Sequence, residues 1–335
     1  MLTRNLSSII KFIVFLSLGV FLIWITTRSL SSKELDEVKN LIIAANPLVV
    51  LPCLVIVVLS HYIRALRWKM LITPLSYSPK NSNVFFAVII GFFFNLLFPR
   101  LGELMKCTML GKHEKIPVNQ LIGTMVAERI VDVICLILVI SLTIASQFHV
   151  VGTYAKELWA TFLQKISFDL RQLTFYILSF LLLVVILIWL FKKIASKKLI
   201  EKIKTLLLGA TEGLMSIRHL KNKPLFFLYT FLIWLLYLSS IKIGFLALSE
   251  LTNLGWIPSL TILTFGSFAM IVTQGGIGAY QLAVQKTLGF YGISQVVGLA
   301  FGWLIWSMQT VLLIILGPIS MGLMSILNNK KNRAT

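Results

Sequence analysis

Six apolar stretches, each long enough to cross a lipid bilayer as a helix, occupy about residues 9–27, 47–66, 119–147, 172–191, 224–248 and 295–325 of a 335-residue chain. A hydrocarbon layer about 30 Å thick takes roughly 20 helical residues. Inside it, only helices and closed barrels satisfy their own backbone groups. Two further apolar stretches, about 84–110 and 258–290, are interrupted at Pro99-Arg100-Leu101-Gly102-Glu103 and at Gln274-Gly275-Gly276-Ile277-Gly278. Proline removes a helical donor and glycine relaxes the backbone, so both stretches read as broken helices. The predicted fold is an all-α, polytopic integral membrane bundle of about six full spans plus two re-entrant broken-helix hairpins. It forms a single transmembrane domain over residues 1–335.

Charge counting sets the topology. The 31 Lys and Arg outnumber the 12 Asp and Glu, and in a membrane protein basic loops mark the cytoplasmic side. Nine of the cations lie in the loop 192–223. If 84–110 crossed the bilayer once, that loop would fall outside; a hairpin that re-enters from the cytoplasm keeps it inside. A second hairpin at 258–290, entering from the external face, likewise leaves Lys330, Lys331 and Arg333 in the cytoplasm. The expected location is the inner, cytoplasmic membrane, with both termini cytoplasmic. Hairpins entering from opposite faces resemble the discontinuous architecture of secondary transporters. The stretch 9–27 ends in Thr26-Thr27-Arg28, a poor cleavage site, and reads as an uncleaved span. The segment 32–46 is open between a surface helix and a loop.

Composition narrows the function. The chain is 58% hydrophobic and 13% charged, against roughly 25% charged in a soluble domain, which leaves no room for a soluble catalytic domain. The basic balance is explained by membrane topology, so nucleic acid is not an expected partner. Cys53, Cys107 and Cys135 have no paired spacing and the four histidines match no ligand motif, so neither a metal nor another cofactor is expected. With only Asp36, Asp132 and Asp169 as aspartates, no paired-Asp metal motif exists. A Walker loop and a nucleophile elbow are also missing, so an enzyme is disfavoured.

Four clusters carry candidate chemistry. Glu128, Arg129 and Asp132 lie deep in the stretch from 119, with Glu128 and Asp132 on one helical face; charges at that depth mark a functional site or an interfacial salt bridge. Arg64 and Arg67, one turn apart before Trp68, read as headgroup-level anchors or as guanidinium contacts to a lipid phosphate. At the first break, Asn95, Arg100 and Glu103 supply polar side chains either to an interior site or to a solvated turn. At the second, Thr273, Gly275, Gly276 and Gly278 leave backbone amides bare at a helix start. That arrangement suits a phosphate or close helix packing.

Taken together and in order, RALRWKML at Arg64 to Leu71, GFFFNLLFPRLGE at Gly91 to Glu103, ERIVD at Glu128 to Asp132 and TQGGIGAY at Thr273 to Tyr280 resemble the membrane domain of the lysylphosphatidylglycerol synthase/flippase family. The resemblance implies a protein that moves an amphiphilic lipid between leaflets, in the best-known members an aminoacylated phosphatidylglycerol. Those members carry an additional soluble synthase domain; the chain read to Thr335 holds no such segment, so synthase activity is not expected. Gln274 and Gln281 stand where the family often has proline and an acidic residue, which weakens proton coupling at the second hairpin. The expected function is translocation of a phospholipid or lipid-linked intermediate, with anionic or zwitterionic membrane lipids as partners. A homo-oligomer or an envelope-biosynthesis partner also fits. Two rival classes stand beside this: a lipid or isoprenoid-phosphate glycosyltransferase, and a non-transporting accessory subunit of an envelope-synthesis complex.

Overall fold

The computed structural model describes residues 17, 19–28, 30–98, 101–147 and 218–332. The described residues are helical apart from turns and short links. After a helical stretch at 19–27 come α1 (Ser32–Ala44), α2 (Pro47–Ile72), α3 (Asn81–Leu97), α4 (Leu101–Glu114), α5 (Val118–Ser146), α6 (Lys223–Gly244), α7 (Trp256–Val272), α8 (Ala279–Gly289) and α9 (Gln295–Asn332). Four helical segments are long and apolar enough to cross a membrane: Pro47–Leu75, Val118–Ser146, Lys223–Ala247 and Gln295–Asn328. They fall on four of the six expected spans. Residues 9–16 and 18 of the first expected span, all of 172–191 and most of the basic loop 192–223 lie outside the described residues.

Both broken stretches form antiparallel helix pairs. At 17 residues, α3 and α7 reach about 25 Å at 1.5 Å per residue, short of a full hydrocarbon layer. The α3–α4 hairpin closes tightly because Gly91 faces Gly102: a Cβ at Gly102 would strike the Gly91 carbonyl oxygen and the Asn95 side chain. Asn95 Oδ1 accepts from the Gly102 amide at 2.9 Å, capping one donor at the start of α4. In the second hairpin Gly266 of α7 gives the Tyr280 ring of α8 its space.

The hairpins enter from opposite ends of the bundle. Near the base of α3 and α4, Glu114 Oε1 accepts from the Lys80 amide at 2.9 Å and from Asn83 at 2.6 Å, and Asn83 exchanges amide hydrogen bonds with Asn328 near the end of α9. At the far end the Asn46 amide donates to the Ala247 carbonyl, and α1 packs against α9. There α6 ends and α7 begins. The hairpin tips approach one another, since a Cβ on Gly275 would lie 3.1 Å from Leu96 Cδ2.

Two apolar cores lie at different levels. One gathers Phe245, Leu251, Leu288 and Phe301 with Cys53 of α2; the other gathers Trp68, Ile72, Leu110, Leu121 and Phe226 with Ala65 of α2. Between those levels α2 carries Ser60, His61 and Arg64, and α6 carries Thr230, Tyr237 and Ser240. A polar layer therefore crosses the middle of the bundle. The segment 32–46 is mostly the helix α1, opened by a capping box: Ser31 Oγ accepts from the Glu34 amide, and Glu34 Oε2 accepts from the Ser31 amide at 2.7 Å. Hydrogen bonds from the Ser31 amide and then its hydroxyl hold the Glu34 carboxyl below the usual carboxylate range.

A buried ion cluster as the candidate functional site

Helical spacing on two helices and a hairpin between them build the site. On α2, Arg64 and Arg67 share a face and point at α5, where Glu128 and Asp132 also share one. Glu128 Oε1 accepts from Arg64 at 2.8 Å and from Arg129 at 3.1 Å, with Arg67 at 3.5 Å, while its Oε2 accepts from Lys106 Nζ at 2.6 Å. Asp132 takes Arg67 on Oδ1 at 2.6 Å and Arg64 on Oδ2 at 2.7 Å, with Arg129 3.6 Å from Oδ2. Tyr237 and Thr230 of α6 accept from Arg64 and Arg67 at 3.1 and 3.4 Å.

Among the described residues four cations thus face two carboxylates. At ordinary charges the cluster carries two positive charges in excess. Its members differ in access: the side chains of Glu128 and Arg67 are fully buried, whereas that of Arg129 is 41% exposed. Beside them a cavity of about 30 Å³ is lined by Asn95, Gly102, Glu103, Lys106 and Arg129. One water needs about 10–15 Å³, so this space admits water but not a phosphate without movement. Glu103 Oε2 is buried there with no hydrogen-bond partner among the described residues; counting its charge still leaves an excess of one. Uncompensated charge at membrane depth is costly and marks ion or substrate sites.

The structure brings Arg64, Arg67, Glu128, Arg129 and Asp132 into direct contact and sets Asn95 and Glu103 at the adjoining cavity. Arg64, Arg67 and Trp68 are buried against their neighbours, so they are not displayed in a headgroup belt. The carboxylates of α5 draw the guanidinium groups inward, and the Trp68 indole donates to Thr124 Oγ1 at 3.0 Å. Arg100 lies outside the described residues. Thr273, Gly275, Gly276 and Gly278 form the tip of the second hairpin. The three glycines have positive φ, as the turn requires. They are closely packed: a Cβ at Gly276 would strike Met270 Sδ, and one at Gly278 would strike the Gly19 carbonyl. Gly276 N donates to the Thr273 carbonyl, and the Gly275 carbonyl accepts from Trp306.

Lys106 is the member that sequence reasoning missed. It falls on the stripe Gly102, Lys106 and Leu110 that α4 buries, and its ammonium lies 3.9 Å from the Trp68 ring centroid. A lone lysine on the buried face of a short helix was the available signal. Among the described residues no group of three metal-ligating side chains is assembled.

Comparison with known proteins places this geometry in a lineage. The family described as "Lysylphosphatidylglycerol synthase TM region" matches residues 8–317. A UPF0104 membrane protein of Methanocaldococcus jannaschii is 26% identical over 313 residues, covering 86% of this chain and 88% of its own. No solved structure matches. Because the family match runs through every helix that contributes a side chain to the ion cluster, this multi-pass membrane protein belongs to the lysylphosphatidylglycerol synthase TM-region family.

Proposed function

We propose that the protein moves a phospholipid or lipid-linked intermediate between the leaflets of the cytoplasmic membrane, with the ion cluster receiving the headgroup phosphate. The observation that carries this reading is the positive excess at membrane depth, four cations against two carboxylates. A phosphate supplies the missing negative charge, and guanidinium forks match its oxygens. Arg129 lies eleven residues past Val118, about 16 Å along α5, near the middle of a hydrocarbon layer about 30 Å thick. It is the most exposed cation of the cluster, and its contact to Asp132 is the longest. Arg129 therefore exchanges that carboxylate for a phosphate most readily, while Arg64 and Arg67 stay held.

The tails have a place as well. An apolar groove of about 350 Å³ between α5 and α6 is lined by Cys135, one turn past Asp132, and by Thr230, the partner of Arg67. An acyl chain in this groove keeps its methylenes out of water while only the headgroup reaches the polar layer, which lowers the cost of carrying a phosphate across hydrocarbon.

The test is headgroup scrambling of fluorescent phosphatidylglycerol in vesicles reconstituted with purified protein. Wild type is expected to accelerate exchange, Arg129→Ala to slow it at least ten-fold, and Lys69→Ala, whose ammonium makes an exposed hydrogen bond to Asn81 away from the cluster, to leave it unchanged. Flip rates at the protein-free level for wild type with every lipid offered reject the reading.

A further inference from the structure

A second polar chamber lies in the same layer as the ion cluster. It has a volume of about 210 Å³, and its polar lining is His61, Tyr237, Ser240, Ser267, Tyr280 and Gln309. Against the roughly 10–15 Å³ that a single water needs, it admits a group of several heavy atoms. Two of its lining groups are more than nine-tenths buried and have no partner among the described residues: His61 is 6% exposed with Nδ1 unpaired, and Ser240 is 3% exposed with Oγ unpaired. Leaving buried polar atoms unpaired is costly, so the chamber is built for an occupant that hydrogen-bonds.

The chamber and the cluster share walls. Tyr237 lines the chamber and accepts from Arg64 at 3.1 Å. Phe92 lines it too, with its ring 4.5 Å from that of His61 and 5.8 Å from the Arg64 guanidinium carbon. A phosphate at the cluster therefore has a polar pocket within reach of its own substituent.

The lining decides the chemistry of that substituent. Among the described residues no Asp, Glu, Lys or Arg lines the chamber, so a headgroup amine finds no counter-ion there and faces the positive excess next door. The aromatic walls are no substitute, since Arg64 already lies over Phe92. Hydroxyl and amide groups, by contrast, both donate and accept, as the hydroxyls of a polyol do. Ser267, whose proton goes to the Leu263 carbonyl at 2.6 Å, offers an acceptor, and Tyr237, which accepts from Arg64, keeps its proton for a donor role.

We infer that this chamber binds the uncharged polyhydroxyl part of a phosphate-linked headgroup, such as a glycerol or a sugar ring, and so selects polyol phospholipids over amine-bearing ones. The inference rests on the transport reading and names its substrate class.

The test compares binding of dihexanoyl phosphatidylglycerol, phosphatidylethanolamine and phosphatidic acid to the purified full-length protein, alongside their long-chain fluorescent forms in the vesicle assay. Phosphatidylglycerol is expected to bind at least ten-fold more tightly than phosphatidylethanolamine. Ser240→Ala is expected to weaken phosphatidylglycerol about five-fold, the scale of one hydrogen bond, while phosphatidic acid, which has the phosphate without the polyol, binds as before. Should Ser240→Ala fail to fold, Gln309→Leu takes its place with the same expectation. Equal or tighter binding of phosphatidylethanolamine overturns the inference, as does a variant that weakens phosphatidic acid as much as phosphatidylglycerol. If all three headgroups flip alike, polyol selection falls and transport stands; if none flips or binds, both fall.

Discussion

Glu128 is the side chain on which the cluster turns, because it alone meets all four cations, with contacts from 2.6 to 3.5 Å. Removing its charge raises the positive excess from two to three, whereas removing a cation lowers it. The two single substitutions therefore differ in cost for a reason that contact counting misses. Glu128→Gln is expected to destabilise the protein by about 3–5 kcal/mol, the range for breaking a buried ion pair so that charge is left unmatched. Lys106→Met removes one charged hydrogen bond, worth about 1.5–3 kcal/mol, but leaves Glu128 three arginines and eases repulsion among them. Thermal unfolding in detergent checks the order; a Lys106→Met variant less stable than Glu128→Gln contradicts the charge accounting. At this scale the sequence was partly legible. The four-residue spacing of Glu128 and Asp132 announced a shared face, and Arg64 with Arg67 announced a second. That the two faces meet was not legible, since Arg64 and Glu128 are 64 positions apart and only tertiary packing joins them. Lys106 was obscured because a short helix that carries both Lys106 and Lys112 reads equally well as solvated.

At the scale of elements, the breaks were the plainest feature of the sequence, and α3 and α4 bear that out as a hairpin closed by Gly91 against Gly102. Gly102→Ala is expected to force the pair apart, since its Cβ would meet backbone oxygen that cannot yield; overpacking of this kind costs about 1–3 kcal/mol. Gly322→Ala in α9 is the matched control, with nothing near its added Cβ, and is expected to stabilise by about 0.5–1 kcal/mol through helix propensity. Melting temperatures that fall for the first and hold or rise for the second support the hairpin geometry, and equal responses refute it. The glycines of the second break were legible as a turn, but not what they face. Their close approach to Leu96 and to the helical stretch at 19–27 depends on residues far away in the chain. For α1, the Ser31 and Glu34 pair of the capping box was present in the sequence, and its three-residue spacing distinguishes a helix start from a loop.

For the molecule as a whole, the arrangement of the two hairpins connects charge to direction. The base of α3–α4 lies at the end tied by Asn83, Glu114 and Asn328, where α6 also begins. The sequence leading into α6 carries the nine cations of 192–223, so the positive-inside rule predicts that this end faces the cytoplasm. The base of α7–α8 lies at the opposite end, beside Asn46 and Ala247. Single cysteines at two exposed positions read this out: Ser82→Cys near the start of α3 and Asn253→Cys before α7. Cys53 and Cys107 are buried, so a background with Cys135→Ser suffices. A membrane-impermeant thiol reagent added to intact cells is expected to label Asn253→Cys and to reach Ser82→Cys only after permeabilisation. The reverse pattern means an inverted protein with the same fold. Labelling of both from one side means that the hairpins do not enter from opposite faces, and a polar layer reached from both leaflets would then lose its structural basis.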